Sequence, residues 1–103
     1  MTYKVYLTKP AKDDILAIHK YLKIELGLLN GADNFVDELF KACESLSFMP
    51  ERFRKYQSTN KDENLRIYPI KKYLIFYRVN KECKQVEILR VLHSSRDYKN
   101  IDF

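Results

Sequence analysis

The residues best equipped for chemistry lie in the second half of the chain: Arg66, Arg78, Arg90, His93, Arg96 and Tyr98. Such a set could cleave RNA without a metal. That reaction needs a base for the 2′-hydroxyl, cations for the charge that develops on phosphorus, and an acid for the leaving oxygen. Arginine suits the second role, and His93 or Tyr98 could serve as base and acid. The same residues also fit a binding rim, because Arg and Tyr are enriched at interface hot spots. Tyr56, Tyr68, Tyr73 and Tyr98 lie among basic residues, which suits an acidic peptide or a nucleic acid. Arg90 has a structural reading too. By alternation it shares a strand face with Val86, Ile88 and Leu92, so it could be a partly buried arginine held in an ion pair.

Other chemistries find little support. Gly27 and Gly31 are the only glycines, so there is no Gly-rich phosphate loop, and neither HExxH nor a nucleophile elbow occurs. Cys43 falls on an apolar helical face and Cys83 in a turn. Neither sits in a CxxC pair, so both read as reduced thiols, and neither a metal nor a cofactor is expected. His19 reads as a solvated residue on a helix. The opening MTYKVYLTKP has no apolar core of the signal-peptide kind, and no run approaches the roughly 20 apolar residues of a membrane span. A cytosolic protein without a membrane partner is expected.

Charge is unevenly placed. Residues 1–51 carry 6 Lys+Arg and 8 Asp+Glu; residues 52–103 carry 13 and 6, so net −2 and +7 combine to the overall +5. A basic second half implies an anionic partner, either nucleic acid or an acidic protein segment.

These residues must be positioned by a small scaffold. The 103 residues fit one domain, 1–103, burying about two-thirds of its unfolded surface, so modest stability is expected. YKVYLT (3–8) alternates as a strand. Thr8 or Lys9 caps a helix with Pro10 in its first turn and the amphipathic stripe Ala11, Ile15, Ile18, Leu22. Gly27 caps its C-terminus, and Asn30 is placed as N-cap of a second helix with the stripe Phe35, Leu39, Cys43, Leu46. Pro50 is expected to close that helix. The short connection predicts an antiparallel helical hairpin. Residues 51–63 read as a polar, mobile loop. Strands follow at 64–70, 73–79 and 85–93, and Asp97 is placed as cap of a last helix over 97–101. YLIFYRV is apolar on both faces and reads as a central strand. In the last strand Val86, Ile88, Arg90 and Leu92 are assigned to one face and Glu87, Leu89, Val91 and His93 to the other. The order β-α-α-β-β-β makes an α+β domain: an N-terminal strand, a helical hairpin and a three-stranded antiparallel meander.

PAKDDILAIHKYL, GADNFVDELFKACESLSFMPE, LRIYPIKKYLIFYRV and VEILRVLHSSRDY, in that order, resemble the RelE/ParE superfamily, the toxins of type II toxin–antitoxin modules. The resemblance runs from about residue 3 to residue 98. It implies a helical hairpin on a twisted antiparallel sheet, growth arrest as the outcome, and a cognate antitoxin whose acidic C-terminal segment wraps the toxin. It also implies one of two targets. ParE-like members inhibit DNA gyrase and are not known as nucleases; RelE-like members cut mRNA at the ribosome. Two features favour the ParE-like branch. Both helices are long, and Leu74 stands after Tyr73 where the nuclease branch typically carries Arg. In the RelE-like alternative Arg66 and Arg96 would neutralise phosphate, and His93 or Tyr98 would transfer protons. His93 and Tyr98 are five positions apart here, however, whereas the His-Tyr ending of some nuclease members is adjacent.

Overall fold

The computed structural model describes residues 2–56 and 64–98. Strand β1 (Lys4–Leu7) leads into helix α1 (Lys9–Lys20), and helix α2 (Leu29–Ser45) returns beside it. Strands β2 (Leu65–Ile70), β3 (Tyr73–Asn80) and β4 (Gln85–His93) complete a four-stranded sheet ordered β1-β4-β3-β2. β1 runs parallel to β4, and the other pairs are antiparallel. Among the described residues no helix is long and apolar enough to cross a membrane.

Thr8 starts α1 and ties it to the sheet. Its Oγ1 accepts from the Ala11 N–H at 3.4 Å, while its hydroxyl donates to the Ile88 carbonyl at 2.8 Å. α1 runs on without a break into a wider turn of helix, Tyr21–Glu25, in which the Leu26 N–H reaches back to the Tyr21 carbonyl. Gly27 then takes φ +67°, a left-handed conformation that glycine adopts without steric cost.

Two helix boundaries differ from expectation. Asn30 does not cap α2 but sits inside its first turn. The turn at Gly27 already redirects the chain, and the Leu28 carbonyl accepts the first helical bond from Ala32 at 2.8 Å. Nor does Pro50 close α2, which ends at Ser45. There Arg52 supplies the missing donors: its Nη1 bonds the carbonyls of Phe48 at 2.6 Å and Ser45 at 3.2 Å. Pro50 instead opens a 3-10 turn, Pro50–Arg52, after Met49 at φ +48°. Lys55 then bridges to Arg66 on the outer edge of β2. Residues 57–63 of the expected mobile loop lie outside the described residues, as do residues 99–101 of the expected last helix. Asp97 and Tyr98 are irregular.

The helical hairpin covers one face of the sheet. Ala11, Ile15 and Ile18 from α1 and Phe35, Leu39 and Cys43 from α2 pack on Ile75, Tyr77, Val79, Val86, Ile88 and Val91. Tyr77 is fully buried, and its hydroxyl donates to the Pro50 carbonyl at 2.6 Å. A smaller cluster, Ile67, Leu74, Phe76 and Leu92, forms on the opposite face beneath Tyr56 and Tyr98.

The face assignment in β4 holds only as far as Ile88. Tyr77 pairs with Ile88 but Phe76 pairs with Arg90, so Leu89 is an extra residue, a β-bulge. The alternation flips there. Val91 joins the helix-covered core with Val86 and Ile88, while Leu92 joins the opposite cluster.

Candidate functional site

A cavity lies where β4 outruns its neighbour. β1 pairs with β4 from Gln85 to Ile88, and among the described residues no strand flanks the later part of β4 on that side. α1 closes part of the gap through Asp14. Its carboxylate accepts from Arg90 Nε at 2.7 Å, Arg90 Nη2 at 2.9 Å and the Val91 N–H at 2.9 Å. The bond to Asp14 holds the Arg90 guanidinium proton above its ordinary affinity. Beyond this pair opens a cleft of about 580 Å³. Its walls are Ala17, Ile18, Tyr21, Leu22 and Leu26 on the hairpin side and Tyr73, Val91, Leu92 and His93 on the sheet side. Lys72, Ser95 and Arg96 complete its lining.

Each basic group of the cleft is placed by a backbone device. Lys72 belongs to the two-residue turn between β2 and β3, where Lys71 adopts φ +52°. The Lys72 carbonyl accepts from the Ser94 N–H at 2.8 Å, joining that turn to the end of β4. His93 pairs with Tyr73 across the strands, and its ring meets the Tyr73 ring edge-on at 5.2 Å. His93 Nδ1 accepts the Ser95 backbone N–H at 3.1 Å and meets Ser95 Oγ at 2.7 Å. A backbone N–H can only donate, so the neutral ring carries its proton on Nε2. Arg96 is exposed, and its N–H closes the turn onto the His93 carbonyl at 3.0 Å. Burial pushes the Tyr73 phenol above its usual range, so that hydroxyl stays protonated at neutral pH.

The six residues singled out in the sequence do not converge. His93 and Arg96 share the cleft. Tyr98 lies on the other face of the sheet, its ring 5.3 Å from Phe76 and 5.7 Å from Tyr56. Arg66, on edge strand β2, is turned into the protein: Nη1 donates to the carbonyls of Phe53 at 2.7 Å and Glu51 at 3.1 Å, and Nη2 reaches the Glu51 carboxylate at 3.3 Å. The hydrogen bond from Lys81, then the charges of Lys81 and Arg66, hold Glu51 below the usual carboxylate range. Arg78 sits opposite Glu87 across β3 and β4, 3.8 Å from its carboxylate. Arg90 is the ion-paired arginine that one reading foresaw, with Asp14 as partner. His19, read as solvated, is about a third exposed and meets Asp33 of α2 at 2.7 Å. Among the described residues no group of three or more His, Cys, Asp or Glu could hold a metal ion.

Of the cleft's other members, Tyr73 had been read among the tyrosines of a basic binding surface, whereas Lys72 was readable in advance only as part of a turn. Counting back through the meander from His93 to Tyr73 would have put both beside the histidine.

The family model described as the ParE toxin of the type II toxin–antitoxin system, parDE, matches residues 5–98. The chain belongs to this family. The match spans every element from β1 to Tyr98, and with it the whole cleft. Among solved structures, the chromosomal ParDE toxin–antitoxin system from P. aeruginosa matches with TM-score 0.72 and 18% identity, over 89% of this chain and 96% of that one. The toxin–antitoxin complex RelBE2 from Mycobacterium tuberculosis matches with TM-score 0.69 and 20% identity, over 90% and 99%. The archaeal RelE–RelB complex from Pyrococcus horikoshii OT3 gives 0.59 and 21%, over 93% and 99%. No curated protein matches the chain. The fold is that of the RelE/ParE superfamily of type II toxins, as the resemblance implied.

Proposed function

We propose that this ParE-family toxin arrests growth by binding DNA gyrase in the cytosol, as one domain, and is neutralised by a cognate antitoxin. The observation that carries this over RNA cleavage is the separation of His93 from Tyr98. His93 faces the cleft beneath α1, and Tyr98 packs on Phe76 across the sheet. One scissile phosphate cannot receive a base from one face and an acid from the other within hydrogen-bond reach. Arg66 is also drawn away, holding Glu51 and Phe53. What remains is a basic surface suited to contact. The match to the ParE family agrees with this reading, and the pairing of toxins with antitoxins in the similar structures supports an antitoxin partner.

The test uses purified toxin in two reactions. In gyrase-driven supercoiling of relaxed plasmid, the toxin should block supercoiling and accumulate cleaved DNA. In a translating extract the mRNA should keep its 5′ ends. New codon-positioned mRNA ends, with supercoiling intact, would overturn the proposal.

A second reading has its own observation: His93 and Arg96 line the same cleft, a proton-transfer group beside a cation. As a ribosome-dependent mRNA endoribonuclease, the protein would lose mRNA cleavage on His93→Ala while staying folded.

A further inference from the structure

The helical hairpin buries one side on the sheet, and its opposite side is not the purely polar surface of a solvated helix pair. Leu16 of α1 is 68% exposed, Ile24 of the wide turn 63%, Leu29 of α2 62% and Phe40 43%. Leu16, Lys20 and Ile24 recur every four positions, so they follow one side of the helix. Leu29, Asp33, Asp37, Phe40 and Glu44 do the same on α2. His19 meets Asp33 at 2.7 Å and joins the two rows. Counting away from that contact in opposite directions, at about 1.5 Å per residue, sets Leu16 level with Val36 and Ile24 level with Leu28. Single exposed leucines need no explanation, but a row of large apolar side chains across two helices does.

Charge on this face divides by helix. Lys12, Lys20 and Lys23 flank the apolar row on the α1 side, where Lys9 is already paired with Asp13. Asp33, Asp37 and Glu44 flank it on the α2 side. A nucleic acid or an acidic segment laid across the face would meet the acidic half, and a basic segment the basic half. The surface that complements both halves at once is the same face turned over.

We propose that this hairpin face is the interface of a homodimer, in which two hairpins stack as a four-helix bundle about a two-fold axis parallel to the helices. That axis sets α1 of each copy on α2 of the other, antiparallel. Lys12 then faces the partner's Asp37 and Glu44, and Leu16 and Ile24 meet the partner's Phe40 and Leu29. A two-fold axis across the helices would set α1 on α1, lysine against lysine. Asp14, Ala17 and Tyr21 lie on the other flank of α1, so the dimer leaves the cleft open. The inference is independent of whether gyrase or mRNA is the target. Helices of 12 and 17 residues are about 18 and 26 Å long, so the face measures roughly 400 Å² per copy. That is small for a dimer, and association in the micromolar range is expected.

The experiment is sedimentation velocity of the purified full chain across the micromolar range. The native protein should move from one chain mass to two as concentration rises. Leu16→Glu, present twice in the dimer, should raise the dissociation constant about tenfold or more. Two charge variants test the pairing. Lys12→Glu with Lys20→Glu makes both helices acidic on this face, and Asp37→Lys with Glu44→Lys makes both basic. Each should stay monomeric alone, and an equimolar mixture should dimerise, because only a mixed pair sets an acidic helix on a basic one at both contacts. Misfolded chains would not recover on mixing. Lys55→Glu, beyond the β2 edge, should change the dissociation constant by no more than about twofold. Native protein that is monomeric at every concentration would overturn the dimer; if Leu16→Glu also lost the antitoxin, the face would belong to that partner instead. A dimer that survives Leu16→Glu and both charge variants would lie on another surface and equally overturn the proposal. Charge variants that stay monomeric when mixed would overturn the setting of α1 on α2.

Discussion

Asp14 takes three hydrogen bonds on one carboxylate, two from the Arg90 guanidinium and one from the Val91 backbone. Both side chains are largely withdrawn from solvent. Removing the carboxylate strands a cation and an N–H together, which costs more than the pair is worth intact. Asp14→Ala is therefore expected to lower stability by about 2 kcal/mol in urea unfolding. Asp14→Ala combined with Arg90→Met strands no charge and should cost clearly less. Equal losses would show that packing, not the stranded charge, governs the site. At this scale the sequence was half legible. The spacing of β4 marked Arg90 as a structural arginine, but nothing local named a partner 76 positions away on α1. Nor could spacing show that Arg66 turns inward, since its acceptors are backbone carbonyls of a segment whose path only the tertiary fold decides.

Patterning carried the elements well wherever burial set the period. The stripes Ala11, Ile15, Ile18 and Phe35, Leu39, Cys43 became the buried faces of α1 and α2. It did poorly where a single residue changed the count. The bulge at Leu89 leaves no mark in an unbroken run of strand formers, yet it decides that His93 looks toward α1 and not away from it. Asn30 has the right chemistry for a cap, but Gly27 had already turned the chain. Gly27→Ala isolates that turn. No heavy atom would meet an added Cβ within 4 Å, so the cost comes from the left-handed backbone alone. A loss of about 1 kcal/mol in unfolding free energy is expected, with the slope against denaturant unchanged. Pro69 is also legible at this level. The backbone groups of Leu65 and Ile67 point outward from β2, to Tyr56 and Arg54, and position 69 shares that direction. Proline there removes no bond to β3 and leaves no free donor on the sheet's edge.

For the molecule as a whole, two buried acids set an alkaline limit. Burial pushes the Cys43 thiol up to about 12 and, despite nearby Arg66 and Arg52, the Tyr77 phenol up to about 12. Unfolded, these groups ionise near roughly 8.5 and 10. Above those values the unfolded chain binds fewer protons than the native one, so stability falls as pH rises. The slope should reach about 1.4 kcal/mol per pH unit from the thiol, and about double that once the phenol contributes. Urea midpoints should hold level up to about pH 8 and drop through pH 9 to 11, and Cys43→Ala should delay the drop. Midpoints level to pH 11 would contradict the burial of both groups.

The strand order carries a consequence for how the protein is made. β4 is the last of the described strands, yet it lies between β1 and β3. Lys4 must wait for Gln85, its partner in the sheet. A ribosome adding roughly 5–20 residues per second thus holds a nascent chain whose first strand lacks its partner until some 80 further residues have been made. A chain halted before Gln85 can form its helices and the β2–β3 hairpin, but it has neither the cleft nor a closed sheet. The cleft comes into being only once β4 has been made, when any antitoxin already present has the first opportunity to meet it.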